Sequence, residues 1–234
     1  NWADVKAYYG PIIRASKRKI STKEPLAALS VVDWGWQPVG DSKVEVACAT
    51  INVFDSWQTI SLARFPMKEY GISVVESGGP EAMITSEFGV KNKALAAING
   101  SYFNMKTLDP VTYVKDEGKV YCALTTDGEY RNNGMLRIKD KKGKKVDIVP
   151  TDSLRAPADA KGWREAIVSG PVLLDEGTVV PYENDGTRNY RNFYARRHPR
   201  TLMGYTADGW MYFIVVDGRF PQGIGMSIDE LQDL

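Results

Sequence analysis

The sequence predicts an α+β fold in which strand-rich mixed sheets carry a few helices packed on them. Short segments of alternating apolar and polar residues, separated by glycine-containing turns, are typical of strands joined in hairpins. Three longer apolar runs each end in a polar residue followed by glycine, which indicates buried strands. Helical periodicity is confined to a few short stretches, so a repeated strand–helix–strand fold is disfavoured.

The 234 residues are predicted to divide into an N-terminal appendage, 1–28, and one domain, 29–234. In the appendage, Asp4–Tyr9 predicts a short helix and Arg14–Lys19 is a basic run typical of a solvated linker. The composition, 43% hydrophobic and 25% charged, is ordinary for a soluble globular protein. A net charge of +1 creates no overall field that would attract nucleic acid or membrane, and no segment has the length of a transmembrane helix.

The first half of the domain predicts three strands and one helix. The strands cover Lys43–Phe54, with a slip or a bulge near Ala49, then Gln58–Phe65 and Gly71–Glu76. Pro80–Phe88 has its apolar residues on one helical face, with proline in the first turn and a glycine just after the end. This helix leads into the first of the three apolar runs.

Turn signals in the second half predict a series of hairpins. They are Glu117-Gly118, Asp127-Gly128, Asn133-Gly134, Lys142-Gly143, Asp175-Glu176-Gly177 and Asp208-Gly209. Near the end of the chain, Ser227 and Glu230 have the spacing of a capping box. Met226 and Leu231 are placed as the hydrophobic staple of the same helix.

The three apolar runs are Ala96–Gly100, Ala166–Gly170 and Phe213–Gly218. Any one of these ends, taken alone, is more often a plain hairpin turn. An uninterrupted apolar run, however, indicates a strand buried on both faces, and such a strand can hold a polar group still at a sheet edge. We therefore expect the three ends to form one shared site.

Thr187–Arg200 contains five arginines and three aromatic residues, and most of it is interpreted as a mobile, solvated loop. Arg200 differs because it leads directly into the strand that begins at Thr201, from which it can face Asp217. Asp217 is the candidate acid with a strand-end position. Burial would raise its pKa and neighbouring arginines would lower it, and the sequence leaves that balance open.

The residue types that commonly bind metals are sparse. Cys48 and Cys122 are far apart and lack metal-site spacing, and two buried small residues are favoured over a disulfide. His198 is the single histidine, so a zinc site or a serine–histidine–aspartate triad would have to be built around that residue alone.

Several ordered blocks resemble those of one known family. The blocks are Ala94–Phe103, Ser169–Leu173, His198–Thr201, Val215–Arg219 and Gly225–Ser227. Their order and approximate spacing resemble the phosphodiester glycosidase family, from roughly residue 30 to the end of the chain. That family includes a lysosomal enzyme that removes N-acetylglucosamine from a mannose-6-phosphate diester.

The resemblance implies a glycoside hydrolase that cleaves a sugar-1-phosphodiester, such as one of N-acetylglucosamine, at the anomeric carbon and outside the cytoplasm. It implies that Asp217 is nucleophile, base or electrostatic stabiliser, and that Arg200 and Arg219 neutralise the phosphate. Asn99 and the Gly170 backbone would hold sugar or phosphate oxygens. The other expected substrate-binding residues are Gly100, Tyr102, Ser169, His198, Thr201, Gly218 and Gly225. No cofactor is expected, although a divalent cation near Asp217 is compatible with the residues.

One departure from the family keeps a second function class open. Family members continue past the capped helix with an Asn-Leu-Asp-Gly-Gly-Gly-Ser segment that contributes to the site, and this sequence stops at Leu234. Either the sequence is shortened or the site is incomplete, and the alternative function is a non-catalytic binding module for cell-envelope glycans or anionic polymers. Nucleic-acid binding through the basic stretch 188–200 is disfavoured by the near-neutral charge.

Overall fold

The computed structural model describes Leu29 and residues 32–76, 82–125 and 128–234. The predicted appendage, with its short helix and basic run, lies outside the described residues. The described chain forms two units, and each has its own sheet. The first unit contains the described residues up to Phe65 together with Glu176–Leu234, and the second contains Pro66–Asp175. The extent 29–234 for a single domain stays a prediction.

The described residues contain strands in both units and a few short helices, which confirms the α+β class. The strands are β1 (Gln37–Pro38), β2 (Glu45–Val53), β3 (Ser56–Pro66), β4 (Val114–Asp116), β5 (Lys119–Cys122), β6 (Gly134–Ile138), β7 (Val146–Pro150), β8 (Glu165–Ser169), β9 (Leu174–Asp175), β10 (Thr178–Val179), β11 (Arg200–Tyr205) and β12 (Trp210–Val216). The α-helices are α1 (Thr85–Lys91), α2 (Ala156–Asp159) and α3 (Ile228–Asp233).

The first unit is built on a five-stranded sheet in the order β1-β2-β3-β12-β11. β2 and β3 pair without interruption from Glu45 opposite Arg64 to Val53 opposite Ser56, so the predicted slip or bulge near Ala49 is wrong. The apolar alternation shifts along β2 because buried side chains lie on both faces of the strand. On one face of this hairpin, apolar residues form part of the core: Ala47, Ala49, Ile51, Val53, Ile60 and Leu62.

The second unit is built on a five-stranded sheet in the order β5-β4-β8-β6-β7, and every pair in it is antiparallel. One face of the sheet packs on α2 through a small buried cluster. The cluster consists of Tyr113, Met135, Ala156, Ala160, Ala166 and Val168. Burial of this face explains why the apolar run at 166–168 correctly predicted a strand, β8.

Two elements in the second unit differ from prediction. Gly71–Glu76 is not a strand, because its backbone bonds go to a turn and a side chain: Ile72 N–H donates to the Gly143 carbonyl, and Val74 N–H to the Glu165 carboxylate. The predicted helix over Pro80–Phe88 begins later, as α1. Glu87 and Lys91 occupy its first and last turns, where their charges complement the helix dipole.

Most of the predicted turns are correct. Hairpins join β4 to β5, β6 to β7, β9 to β10 and β11 to β12 at the expected turn residues. Asn133-Gly134 is an exception, since Gly134 begins β6 rather than forming a turn. Asp127 lies outside the described residues. The capping box of α3 is confirmed, because Ser227 Oγ accepts from the Glu230 N–H at 3.2 Å and Glu230 accepts from the Ser227 N–H at 2.9 Å. Among the described residues, no helix has the length and apolar character to cross a membrane.

Candidate active site

Asp217 follows directly after β12, next to the buried Val216. Its backbone N–H donates to the Thr59 carbonyl on β3 at 2.9 Å, which fixes the residue to the sheet. The side chain is half-buried, and this burial raises the pKa of the carboxyl above its ordinary value of 3.8. Within the described part of the chain, no donor or cation bonds to the carboxylate oxygens. A desolvated carboxyl without a partner is typical of a catalytic acid or base.

Residues 218–224, called the Asp217 loop below, lie against this side chain. Phe220 and Gly223 close the loop with reciprocal backbone hydrogen bonds of 3.1 and 3.0 Å. A Cβ atom added at Gly223 would lie 3.1 Å from the Cβ of Asp217, so the loop approaches the catalytic candidate closely. Arg219 is exposed and has a φ of +68°, a left-handed conformation that is unfavourable for a residue with a side chain. The loop thus holds a solvent-facing arginine two residues from the carboxyl.

Two glycines pack against the His198-Pro199 backbone in the same unit. His198 and Met226 exchange backbone hydrogen bonds of 3.2 and 3.1 Å. A Cβ at Gly225, where φ is +95°, would lie 2.4 Å from the His198 carbonyl oxygen, and one at Gly218 would lie 2.3 Å from the Pro199 nitrogen. Neither approach leaves room for a side chain. Three of the sequence blocks that carry the family resemblance therefore meet in one packed cluster.

Arg200 is tied to backbone carbonyls rather than directed at Asp217. Its guanidinium donates from Nε to Met226 O at 3.0 Å and from Nη2 to Phe193 O at 2.7 Å, and it lies over the Phe193 ring. In the β11–β12 register Arg200 is opposite Val216, and no arginine contributes to the pKa shift of Asp217. The balance that the sequence left open is therefore decided by burial.

The basic stretch Thr187–Arg200 is more ordered than a mobile loop. Tyr190–Tyr194 forms a π-helical turn, and the ring of the buried Tyr194 packs against that of Tyr182, with 4.8 Å between their centroids and a tilt of 32°. Arg197 forms a bidentate ion pair with Glu230, the capping residue of α3. Its single histidine, His198, donates from Nε2 to the Asn192 carbonyl at 2.7 Å. The arginines of this stretch that remain exposed are Arg188, Arg191 and Arg196.

In the second unit, the segment 99–102 is attached to the end of β8. Ser101 Oγ donates to the Val168 carbonyl at 2.5 Å and accepts from Thr112 Oγ1 at 2.7 Å. The Tyr102 hydroxyl donates to the Gly170 carbonyl at 3.2 Å. Gly170 has a φ of +154°, and a Cβ there would lie 2.7 Å from the Arg131 carbonyl oxygen. Two of the three predicted strand ends therefore lie together.

The apolar run that precedes Asn99 is not a strand, however. Ala94–Ile98 is irregular and mostly exposed, with 48% of the Leu95 surface open to solvent. Asn99 and Gly100 are exposed as well. Alanine has low β-propensity and buries little area, so an alanine-rich run gains little from pairing with a sheet. The prediction of a buried strand before Asn99 is therefore wrong, although its position beside β8 is defined.

The predicted site residues consequently form two groups, one in each unit. The first unit holds Asp217, Gly218, Arg219, His198, Arg200, Thr201 and Gly225. The second unit holds Asn99, Gly100, Tyr102, Ser169 and Gly170. The expectation that all of them share one pocket stays a prediction.

Sequence reasoning missed a polar patch near Asp217 on the β2–β3 hairpin. Thr50 pairs with Thr59, and Cys48 with Ser61, on the sheet face opposite the apolar core residues of this hairpin. The two threonine hydroxyls lie 2.9 Å apart, and Ser61 Oγ donates to Cys48 Sγ at 3.5 Å. Asp217 raises the pKa of the buried Cys48 thiol further, after burial itself. The sequence does contain a signal for this patch. Cys48 and Thr50 on β2, and Thr59 and Ser61 on β3, are two positions apart, which places each pair on one face of the sheet.

Neither cysteine is in a disulfide. Cys48 is buried, as expected of a small core residue, whereas Cys122 is only partly buried. In the described part of the chain, no group of three histidine, cysteine or acidic side chains is arranged to hold a metal ion. The expectations about cofactors stay predictions.

Comparison with known proteins adds two findings. A family model described as phosphodiester glycosidase matches residues 92–234. The catalytic domain of zebrafish N-acetylglucosamine-1-phosphodiester alpha-N-acetylglucosaminidase, solved in a form auto-inhibited by its pro-peptide, has a similar structure, with a TM-score of 0.62 and 20% sequence identity. The similarity covers 82% of this chain and 67% of that one, and at this identity it shows the fold. No curated protein sequence matches the chain significantly.

Proposed function

The chain belongs to the phosphodiester glycosidase family, and we propose that it hydrolyses a sugar-1-phosphodiester at the anomeric carbon with Asp217 as the catalytic carboxylate. The observation that carries this proposal is the state of Asp217. It is half-buried at the end of β12, its pKa is raised by burial, and no described residue neutralises it. The residue also lies inside the family-matched segment.

Cleavage at an anomeric carbon passes through an oxocarbenium-like transition state. A carboxylate held next to that carbon stabilises the developing positive charge, and a desolvated carboxylate does so more strongly than one in water. The bond from the anomeric carbon to the bridging oxygen breaks, and the phosphate leaves with that oxygen and the bonding electrons. A water oxygen then bonds to the carbon, and the water proton is released.

The leaving phosphate needs charge neutralisation more than protonation, because a phosphate monoester loses its last proton with a pKa of about 6. Arg219 is suited to this role, since it is exposed and held by the Asp217 loop. Arg200 supports the site indirectly, because its donors hold the carbonyls of Met226 and Phe193. This assigns Arg200 a structural role in the cluster in place of direct phosphate contact.

In the second unit, the proposal gives Asn99 and the Gly170 backbone the task of binding sugar or phosphate oxygens. The support is that Asn99 is exposed and that hydrogen bonds of Ser101 and Tyr102 place its segment at the end of β8. We include an N-acetylglucosamine phosphodiester as the first substrate to test, because the zebrafish enzyme of similar fold carries that substrate in its name. The family resemblance also supports a location outside the cytoplasm.

Hydrolysis in ¹⁸O-labelled water tests the reaction. Wild-type protein is incubated with a chromogenic N-acetylglucosamine-1-phosphodiester, and both products are analysed by mass spectrometry. We expect the released phosphate monoester to carry no label, because water attacks the anomeric carbon and the bridging oxygen leaves with the phosphate. Label in the phosphate would mean that the phosphorus–oxygen bond breaks, which contradicts the proposal. Saturable binding without turnover, across a panel of sugar-1-phosphodiesters, would favour the non-catalytic binding module.

A further inference from the structure

We infer that Thr59 on β3 is a positioning residue for Asp217, because it bonds both to the carboxyl residue and to the Asp217 loop. The inference rests on the proposed function for its kinetic consequences. Thr59 lies before the family-matched residues 92–234, so the assignment comes from the structure of this chain. Thr59 belongs to the polar patch on β2 and β3.

Two hydrogen bonds define the position of Thr59. Its backbone carbonyl accepts from the Asp217 N–H at 2.9 Å, and its side-chain Oγ1 donates to the Gln222 carbonyl at 3.0 Å. Asp217 comes directly before the Asp217 loop, and Gln222 lies near the end of that loop. One threonine therefore holds the catalytic candidate with its backbone and the loop with its side chain.

The direction of the hydroxyl hydrogen bonds follows from the proton count. A threonine hydroxyl has one proton, and a backbone carbonyl can only accept, so the Thr59 proton points at Gln222. In the 2.9 Å contact with Thr50, Thr50 must then be the donor. The result is a short directional chain from Thr50 through Thr59 to the Gln222 carbonyl.

Together with the hydrogen bond from the Ile224 N–H to the Trp57 carbonyl at 3.2 Å, this chain holds the Asp217 loop against β3. Gly223 follows Gln222, and a Cβ at Gly223 would lie 3.1 Å from the Asp217 Cβ and 3.4 Å from the Thr59 nitrogen. The loop therefore shields part of the Asp217 side chain from water, and burial is the cause of its raised pKa. The titratable neighbour on β2 is the Cys48 thiol, and no charged side chain among the described residues contributes to the pKa shift of Asp217.

Thr59→Val tests the inference, because valine keeps the shape of the side chain and removes the hydroxyl. We expect the loop to loosen and kcat to fall about 10- to 100-fold, with a much smaller change in KM. Because Asp217 becomes better solvated, its pKa should fall, and the acidic limb of the kcat–pH profile should move to lower pH. Thr59→Ser, which keeps the hydroxyl, should retain the wild-type profile. Thr178→Val, the same change on an exposed strand residue, is the matched control.

A direct titration separates this inference from the proposed reaction. The Asp217 carboxyl is followed by ¹³C NMR as a function of pH in wild-type, Thr59→Val and Thr178→Val proteins. A lower pKa in Thr59→Val alone supports the inference even if no sugar phosphodiester is hydrolysed. An unchanged Asp217 pKa in folded Thr59→Val would overturn it. Gly223→Ala is the second variant: its extra methyl would lie 3.1 Å from the Asp217 Cβ and 3.4 Å from the Thr59 nitrogen, so it should change the same pKa, and an unchanged value there would contradict the close approach of the loop.

Discussion

β12 and the segment 94–98 were both predicted as buried strands that stop at a polar residue followed by glycine. The C-terminal ends of the two are held in different ways. Phe213–Val216 contains aromatic and β-branched residues, and it is paired along its length with β11. Ala94–Ile98 contains three alanines and is irregular. Asp217 is therefore positioned by a backbone ladder, whereas Asn99 depends on the side chains of the two residues after Gly100. The type of apolar residue, and not the length of the run, distinguishes the two ends.

The largest expected effect comes from filling the glycine contacts around Asp217. Gly225→Ala should destabilise the protein by about 3 kcal/mol, because the methyl would meet the His198 carbonyl and the backbone has a left-handed φ. Chemical unfolding measures the change. Gly204→Ala on β11 is the control, since nothing lies within 4 Å of a Cβ there, and it should change the stability by less than about 0.5 kcal/mol. Equal effects in the two variants would show that the packed cluster is absent.

An intermediate effect is expected where side chains hold the Asn99 segment. Ser101→Ala removes the donor to the Val168 carbonyl and the acceptor for Thr112, and should cost about 1 to 2 kcal/mol. Hydrogen exchange around residues 94–100 should become faster, while exchange in β12 stays unchanged. If exchange in β12 changes as much as exchange in the segment does, the two ends are not held independently.

A smaller effect is expected in the pH dependence of stability. The Asp217 carboxyl has a folded-state pKa above its ordinary value, so the folded state holds the proton more tightly than the unfolded state. Its contribution to stability is therefore present at low pH and is lost as the pH rises through the folded-state pKa. Asp217→Asn should remove this loss and make the protein more stable at neutral pH. Asn99→Ala should leave the pH dependence as it is, because an amide does not titrate.

Asp116 and Glu165 in the second unit also have pKa values raised mainly by burial. Their pKa values are shifted in the same direction as that of Asp217, so the Asp217→Asn protein should still lose some stability as the pH rises. The informative quantity is therefore the difference between wild-type and variant at each pH. A difference that does not vary between pH 4 and 8 would contradict the desolvated state of Asp217.

The sequence predicted the parts of the fold that depend on local chemistry. The turns at Glu117-Gly118 and Asp208-Gly209 and the capping box at Ser227 were found because short-range backbone geometry determines them. The strand at Gly71–Glu76 was predicted wrongly because its hydrogen bonds go to Gly143 and Glu165, which are distant in sequence.

The same limit applies to the candidate site. Asp217 was identified from its strand-end position, and its grouping with Gly218 and Gly225 follows the family order. The contacts of Arg200 with Met226 and Phe193 were not predictable, because they depend on how the π-helical turn packs. Thr59 was missed because its bonds to Asp217 and Gln222 join residues more than 150 positions apart in the sequence.

The role of Asp217 is tested most directly by the turnover of Asp217→Asn on a sugar-1-phosphodiester that the wild-type protein hydrolyses. We expect a loss of at least about 1,000-fold in kcat, because the amide cannot stabilise positive charge as a carboxylate does. The circular dichroism spectrum and the unfolding transition should show an intact fold. Asp208→Asn, at an exposed hairpin turn, should retain wild-type turnover. A folded Asp217→Asn protein that hydrolyses the diester at the wild-type rate would show that Asp217 is not the catalytic carboxylate.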